Sequence, residues 1–212
     1  MALAACGQVN NPARDAAPSI DAPPVDAPPI DAPATKKVFI SSVTFFPDLG
    51  GTSGADTQCQ NMANGAGLQG VFRAWLSTSA DPAGNRFTHS TLAYAMVDGT
   101  VIASNWTELI SGAIRHGIDR TEAGNTLPNT GITMCHGTPT CSQTFTGTNA
   151  DGTYLDSQGG NCANWTSRVF QPASGGLITF TGGDSTMADR NWTTRAVGFR
   201  CDYQARIYCF QQ

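Results

Sequence analysis

Charge is scarce: charged residues make up 13% of the 212-residue chain, and the formal net charge is -4. No basic stretch is available to hold a phosphate backbone, which argues against nucleic acid as a partner. No C-x-x-C pair occurs, the spacing favoured by thiolate metal sites and dithiol centres. G-x-S-x-G, H-E-x-x-H and paired-carboxylate motifs are also missing. No enzyme class is therefore written in a local motif. A triad built from distant residues would leave no such trace, and His89 and His116, with no partner suggested by spacing, read as polar surface residues.

The composition, with 40% hydrophobic residues, provides a core, and the length suits one ordinary domain plus a tail. Seven of the 12 prolines crowd the first 33 residues, whereas glycine recurs through the rest in turn-like settings such as DLGG, VDGT and PASGG. That punctuation predicts a loop-rich domain with short strands. Of the seven cysteines, Cys6 stands apart; Cys59, Cys135, Cys141, Cys162, Cys201 and Cys209 form an even set. In an exported protein such a set points to disulfides rather than metal ligation.

Evidence for export lies at the start. Leu3-Ala4-Ala5-Cys6 matches a bacterial lipobox, in which small residues suit a peptidase cleft and the cysteine receives lipid; the alternative is an ordinary Ala-rich beginning. Residues 1–6 are thus the expected remnant of a signal peptide, with the rest of the export signal expected upstream of Met1. Next, SIDAPPVDAPPIDAPA repeats Asp-Ala-Pro after Ile20, Val25 and Ile30. Proline fixes φ and removes donors, the aspartates repel, and little apolar surface is available to offset ordering. Residues 7–35 are expected to form an acidic Pro-rich stalk, reaching roughly 90 Å if extended at about 3.1 Å per residue.

From Lys36 the pattern changes, and residues 36–212 are expected to form the domain. KKVFISSVTFF reads as a first strand. TSGADTQCQNMANGAGL reads as a helix with Ala55, Cys59, Met62, Ala63 and Ala66 inward, Thr52 or Ser53 as N-cap, and Gly65 or Gly67 as the stop. VFRAWLST reads as a strand, AYAMVDGTVIAS as a hairpin across Asp98-Gly99, and NWTELI as a short helical turn. TFTGTNADGTYL, GNCANWTS, RAVGFRC and RIYCFQQ read as further short strands. A helix followed by short strands predicts an α+β fold.

With Cys201 and Cys209 separated by seven residues and the ending Ile207-Tyr208-Cys209-Phe210, the chain resembles the C-type-lectin-like fold. KVFISS, GGTSGADTQCQ, FRAWLSTS, VDGTVIASNW, FTGTNADGT and NCANWTS are similar, more narrowly, to the endostatin-related lectin-like domains of bacterial surface lipoproteins, best known from spirochaetes. The resemblance spans about residues 36–212. It implies a disulfide-stapled α+β fold with one main N-terminal helix, short antiparallel strands, and the bonds Cys59–Cys209 and Cys162–Cys201. It also places Ala74-Trp75-Leu76-Ser77 where that fold keeps its core Trp-Ile-Gly-Leu motif.

Sugar-binding members hold calcium with a Glu-Pro-Asn or Gln-Pro-Asp triplet and a Trp-Asn-Asp triplet before the penultimate cysteine. Here the second position reads Ala196-Val197-Gly198, and neither first triplet occurs, so the usual calcium-dependent sugar site is not expected. Calcium has two remaining oxygen-rich candidates: Asn149 with Asp151 and Asp156, and Asp184 with Asp189 and Asn191. Solvated turns are the plainer reading of both. Asn-Trp-Thr recurs at Asn105, Asn164 and Asn191, formally a glycosylation signal but uncommon as such in bacteria. Trp106, Trp165 and Trp192 are read chiefly as core residues, with Trp192, in the Gly/Asp/Asn-rich TGGDSTMADRNWTTR, the best candidate for a ligand-stacking indole. MCHGTPTC brings Cys135, His136 and Cys141 together, as a local Cys135–Cys141 disulfide or, alternatively, a zinc or copper site.

The resulting expectation is a lipid-anchored, extracytoplasmic binding module at the bacterial envelope or outer-membrane surface, meeting the membrane only through its anchor. It would recognise a protein or glycan through loops at about 120–195. The alternatives are a redox or metal enzyme using Cys135, His136 and Cys141, and a purely structural envelope protein.

Overall fold

The computed structural model describes Met1 and residues 34–128, 141–155, 160–169 and 179–212, with the backbone alone for 196–198. Cys6, the Pro-rich repeat, Cys135, His136 and Asp156 lie outside the described residues. The chain divides into two units, Met1–Pro33 and Ala34–Gln212, and the elements below belong to the second.

The architecture is α+β. Strand β1 (Thr35–Ile40) leads to helix α1 (Gly51–Gly65), β2 (Phe72–Ala74), the short α2 (Ala83–Arg86), β3 (Ala93–Met96), β4 (Val101–Ala103) and α3 (Trp106–Leu109). β5 (Gln143–Phe145), the turn α4 (Cys162–Trp165), β6 (Thr179–Asp184), β7 (Ala196–Arg200) and β8 (Tyr208–Gln211) follow. Five strands form one sheet in the order β2-β8-β1-β3-β4, and three form another, β5-β6-β7. The pairings are antiparallel except β1 with β3, which run parallel, so the larger sheet is mixed rather than wholly antiparallel as expected.

The first and last strands pair at the centre of that sheet, with Phe39 opposite Cys209. Alternation then sends Phe39, Phe72, Ala74 and Cys209 to the face covered by α1, and Val38, Ile40, Tyr208 and Phe210 to the other. Both faces are buried, which is why VFI and YCF read as continuous apolar runs rather than alternating ones. On the α1 side, Ala55, Cys59 and Ala63 face inward at successive turns, and the bond Cys59–Cys209 closes a separation of 150 residues. Small residues on this stripe let the helix approach closely enough for a disulfide of 5.4 Å between Cα atoms.

The ends of α1 show a difference from expectation. Gly50 and Gly51, with φ of 82° and 78°, swing the chain into the helix, and no side chain caps it. Thr52, an expected cap, instead donates to Asp81 at 2.9 Å. At the other end Gly67 sits at φ 72°, with Gly67 N–H donating to Asn64 O and Leu68 N–H to Ala63 O. That is a Schellman closure, which requires the left-handed conformation glycine adopts cheaply.

On the opposite face Trp75 is the hub of an aromatic cluster. Its ring centroid lies 5.2 Å from both Phe87 and Trp192 and 5.6 Å from Phe210, and its indole N–H donates to Thr193 Oγ1 at 2.8 Å. Beside this core Arg86, 9% exposed, is held by Asp56 at 2.6 Å and Asp81 at 2.9 Å and donates to the carbonyls of Ala74 and Leu76. The ion pairs and carbonyls together satisfy a guanidinium that would be costly to bury alone.

GNCANWTS, expected to be a strand, is a turn in which Cys162, Ala163, Asn164 and Trp165 have φ between 48° and 63°. Non-glycine residues pay sterically for this left-handed path. Three contacts hold it: the bond Cys162–Cys201, Asn161 accepting from Asn164 N–H at 3.0 Å, and Trp165 Nε1 donating to Ser77 O at 3.0 Å. No helix among the described residues is long and apolar enough to cross a membrane.

Strand β6 was not foreseen, because TFTGGD carries two glycines that ordinarily weaken a strand. Their positions explain them. A Cβ on Gly183 would stand 2.0 Å from Trp192 O, and one on Gly182 would stand 2.6 Å from Thr144 O. The turn Arg190–Trp192 therefore lies directly on β6. Gly183→Ala is expected to cost about 2–3 kcal/mol through this backbone clash, read as a lower urea midpoint; an unchanged midpoint would show that the turn can lift without penalty.

Candidate functional site

Three places are candidates, and the oxygen-rich residues singled out from the sequence account for two of them. Asn149 and Asp151 build a tight hairpin closed by the bridge Thr148↔Tyr154. Asp151 accepts from Thr153 N–H at 3.0 Å and from its hydroxyl at 2.6 Å, and these bonds hold the carboxyl below its ordinary range. Asn149 donates to Thr153 Oγ1 at 3.0 Å. The pair also faces Ile110, Ser111, Arg190 and Thr194 across a surface groove of about 400 Å³.

Asp189 and Asn191 form the second place. Asp189 caps the turn Arg190–Trp192 by accepting from Asn191 N–H at 3.0 Å, and Asn191 Nδ2 donates to the other carboxylate oxygen at 3.0 Å. Asp184, grouped with them from the sequence, is not a surface ligand: it is 2% exposed, ion-paired with Arg195, and accepts from Thr186 N–H at 3.0 Å and Thr186 Oγ1 at 2.8 Å. Both acidic groups thus spend their oxygens on local turns. Among the described residues no three His, Cys, Asp or Glu side chains gather where a metal ion would sit.

Trp192 requires a correction as a ligand-stacking candidate. It is fully buried, packed on Trp75 at 5.2 Å and Tyr208 at 5.7 Å, and Tyr208 Oη donates to its carbonyl at 3.0 Å. Its Gly/Asp/Asn-rich neighbours form the turn, while the apolar area of the indole drives it inward. Trp165 is likewise fully buried, and Trp106, 7% exposed, is covered by the His89 ring stacked at 4.4 Å. The core reading holds for all three.

The third place was not foreseen. A cavity of about 390 Å³ opens between the β3–β4 end of the larger sheet and the start of β5 and end of β6. Its position follows from two connections. The segment after α3 docks through Ile114 N–H to Ala188 O at 2.7 Å and Arg115 N–H to Ile102 O at 2.9 Å. Gly117 then passes so close to the 185–186 backbone that a Cβ would stand 2.4 Å from Ser185 O. The chain next forms a hairpin, with Thr121 N–H donating to Asn125 O and Leu127 N–H to Asp119 O, beside the end of β1.

Met96, Leu127 and Pro128 give this cavity an apolar side; Thr100, Ser142, Ser185 and Thr186 give it hydroxyls; His116, Asp119 and Arg120 complete it. Arg120 is already engaged, with Asp98 and Asp119 each at 2.7 Å. Burial acts to raise the Asp98 carboxyl, but bonds from Thr100 and Arg120 outweigh it and hold the group low. Ser185 is 1% exposed, and its Oγ has no hydrogen-bond partner.

Serine, histidine and aspartate thus share one cavity, yet among the described residues no hydrogen bond joins Ser185, His116 and Asp119, and Asp119 is turned to Arg120. A relay needs nucleophile and base within hydrogen-bond reach. Cys141, at the cavity edge, is disulfide-bonded, so it offers no free thiolate for the redox or metal alternative. The proposed pairing of Cys141 with Cys135, and the role of His136, fall outside the described residues.

The cavity was illegible because its walls come from separated stretches with no shared motif. The one local signal was Gly117, in a segment read only for its histidine. No protein-family model matches the chain, and no curated protein matches it.

Proposed function

We propose that the chain is an extracytoplasmic binding module built on a C-type-lectin-like frame, lipid-anchored through Cys6 and held off the membrane by its acidic Pro-rich stalk. It binds a protein or glycan without the calcium-dependent sugar triplets, through the loops spanning about 120–195. Support for the frame comes from the pairing of first and last strands, the helix-to-last-strand bond Cys59–Cys209, and the bond Cys162–Cys201 that fastens the turn α4 to the end of β7.

The observation carrying a binding role is the surface groove of about 400 Å³ between Ile110, Asn149, Asp151, Arg190 and Thr194, presented on a disulfide-stapled scaffold. Rigid scaffolds that present loops and a concave site are suited to recognition.

The test presents the full chain to glycan and protein arrays beside an Asn149→Ala/Arg190→Ala variant. One saturable signal from the native chain, weakened when groove residues are removed, is the expected result. Arrays silent for the native chain would favour a structural envelope role instead.

A further inference from the structure

We infer that the surface groove between the 149–154 hairpin and the turn Arg190–Trp192 takes a small dipolar ligand, a free α-amino acid with an apolar side chain. This goes beyond the protein or glycan of the binding reading and rests on it only in that the groove takes a ligand.

Arg190 carries the argument. Among the described residues it is the arginine whose guanidinium meets no carboxylate, carbonyl or aromatic ring. Exposure does not account for this, because Arg168, with its side chain 60% exposed, still finds Asp48 and the Phe46 ring. Asp151 brings the opposite charge to the same groove, also exposed, and no ion pair joins the two. Opposite charges that share a space without neutralising each other suit a ligand bearing both signs. Its carboxylate would meet the planar guanidinium fork and its ammonium Asp151. A simple anion would be repelled by Asp151, and a simple cation by Arg190. Asp151 can still accept: both bonds from Thr153 end on Oδ1, leaving Oδ2, and they hold the carboxyl low and so ionised.

The walls are fixed in advance. Gly84 N–H donates to Gly152 O at 2.8 Å, locking the hairpin against α2, and a Cβ on Gly152 would stand 3.1 Å from Gly84 Cα. On the other side Thr194 Oγ1 donates to Thr148 O at 2.9 Å, which ties the end of the 190–192 turn to the base of the hairpin. A preorganised groove spares a small ligand the entropy of ordering loops. Its volume of about 400 Å³ lies within the range of small-molecule sites, about 300–1,000 Å³. Ile110 and Leu155 supply apolar surface, and Ile110 and Asp151 also border a second hollow of about 200 Å³ against Pro82, His89 and Trp106. An ammonium on Asp151 therefore sets the ligand's side chain beside apolar and aromatic surface.

Saturation-transfer NMR on the full chain would titrate phenylalanine, glycine, N-acetylphenylalanine, which lacks the ammonium, and phenylalaninamide, which lacks the carboxylate. Expected is saturable millimolar binding of phenylalanine, tighter than glycine, with each blocked form about fivefold weaker, the upper end for a solvent-reached ion pair. Arg190→Gln should abolish the preference for phenylalanine over its amide and keep the preference over the N-acetyl form. Asp151→Asn, whose amide oxygen still accepts from Thr153, should do the reverse. A merely structural role would weaken all four ligands alike, and the comparison on the native chain stands should either variant fold poorly. Absence of saturable phenylalanine binding, a blocked form binding as tightly as the free amino acid, as a peptide terminus would, or full binding by both variants would overturn the inference. A positive array with no phenylalanine signal removes this ligand alone, while silent arrays with a phenylalanine signal remove the macromolecular reading alone.

Discussion

Replacing Cys59 and Cys209 together by alanine is expected to lower stability by about 5 kcal/mol, the loop-entropy value for a closure of 150 residues. Marginal domains have about 5–15 kcal/mol in total, so this single change removes a large share. The same treatment of Cys162 and Cys201, 39 residues apart, should cost about 4 kcal/mol. The difference in size is small, but the difference in place is not. Without the first bond α1 is released from β8 and exposes the Phe39, Phe72 and Ile207 face; without the second, the left-handed turn at Cys162–Trp165 loses its tether to the end of β7. Urea unfolding with hydrogen exchange checks both. Fast exchange confined to α1 in the first variant and to the α4 turn in the second is the expected pattern. Equal, global loss of protection in both would show that the two bonds stabilise one indivisible unit.

How much of this was legible in the sequence depends on which signal each element carries. Helix α1 was readable because Ala55, Cys59 and Ala63 repeat at helical spacing and Gly67 marks the stop. Its start was misread because two glycines with positive φ do the work assigned to a side-chain cap. The β3–β4 hairpin was readable because Asp98-Gly99 announces a turn, and Asp98 accepts from Thr100 N–H at 2.9 Å. Strand β6 and the α4 turn were not, since each contradicts its own local preference. Glycines in β6 are required by the close passage of the 190–193 backbone, and the left-handed turn is held by a distant cysteine. Both are tertiary demands that overrule propensity.

The site follows the same logic. Asn149 and Asp151 were conspicuous because turn residues cluster in sequence, yet the Asp151 carboxylate accepts and the Asn149 side-chain NH2 donates in making that turn. Ser185 was inconspicuous because nothing near it in sequence distinguishes it. What sets it apart is that a strand end and a glycine-permitted close approach enclose its hydroxyl without a partner. A binding role on this scaffold therefore rests on convergence of remote segments, and composition could only bound it.

Arg206 joins these segments, and its replacement is the second large effect. The residue is 1% exposed; its backbone N–H donates to Gln143 O at 3.0 Å, and its carbonyl accepts from Phe145 N–H at 2.8 Å. Its guanidinium donates to Ser41 O at 2.6 Å and Cys141 O at 3.2 Å, so one side chain ties the end of β1 to the strand entering β5. Burial pushes the group below its ordinary range, partly offset by Glu122. Arg206→Met removes a costly buried charge but strips two carbonyls of a donor. Each orphaned carbonyl costs about 1–3 kcal/mol, and the net loss expected is about 2–4 kcal/mol. Arg206→Lys should recover only part, because a single ammonium lacks the planar fork that reaches two carbonyls. Denaturant titration measures the stability loss. A variant as stable as the native chain would mean that water replaces the guanidinium at both carbonyls.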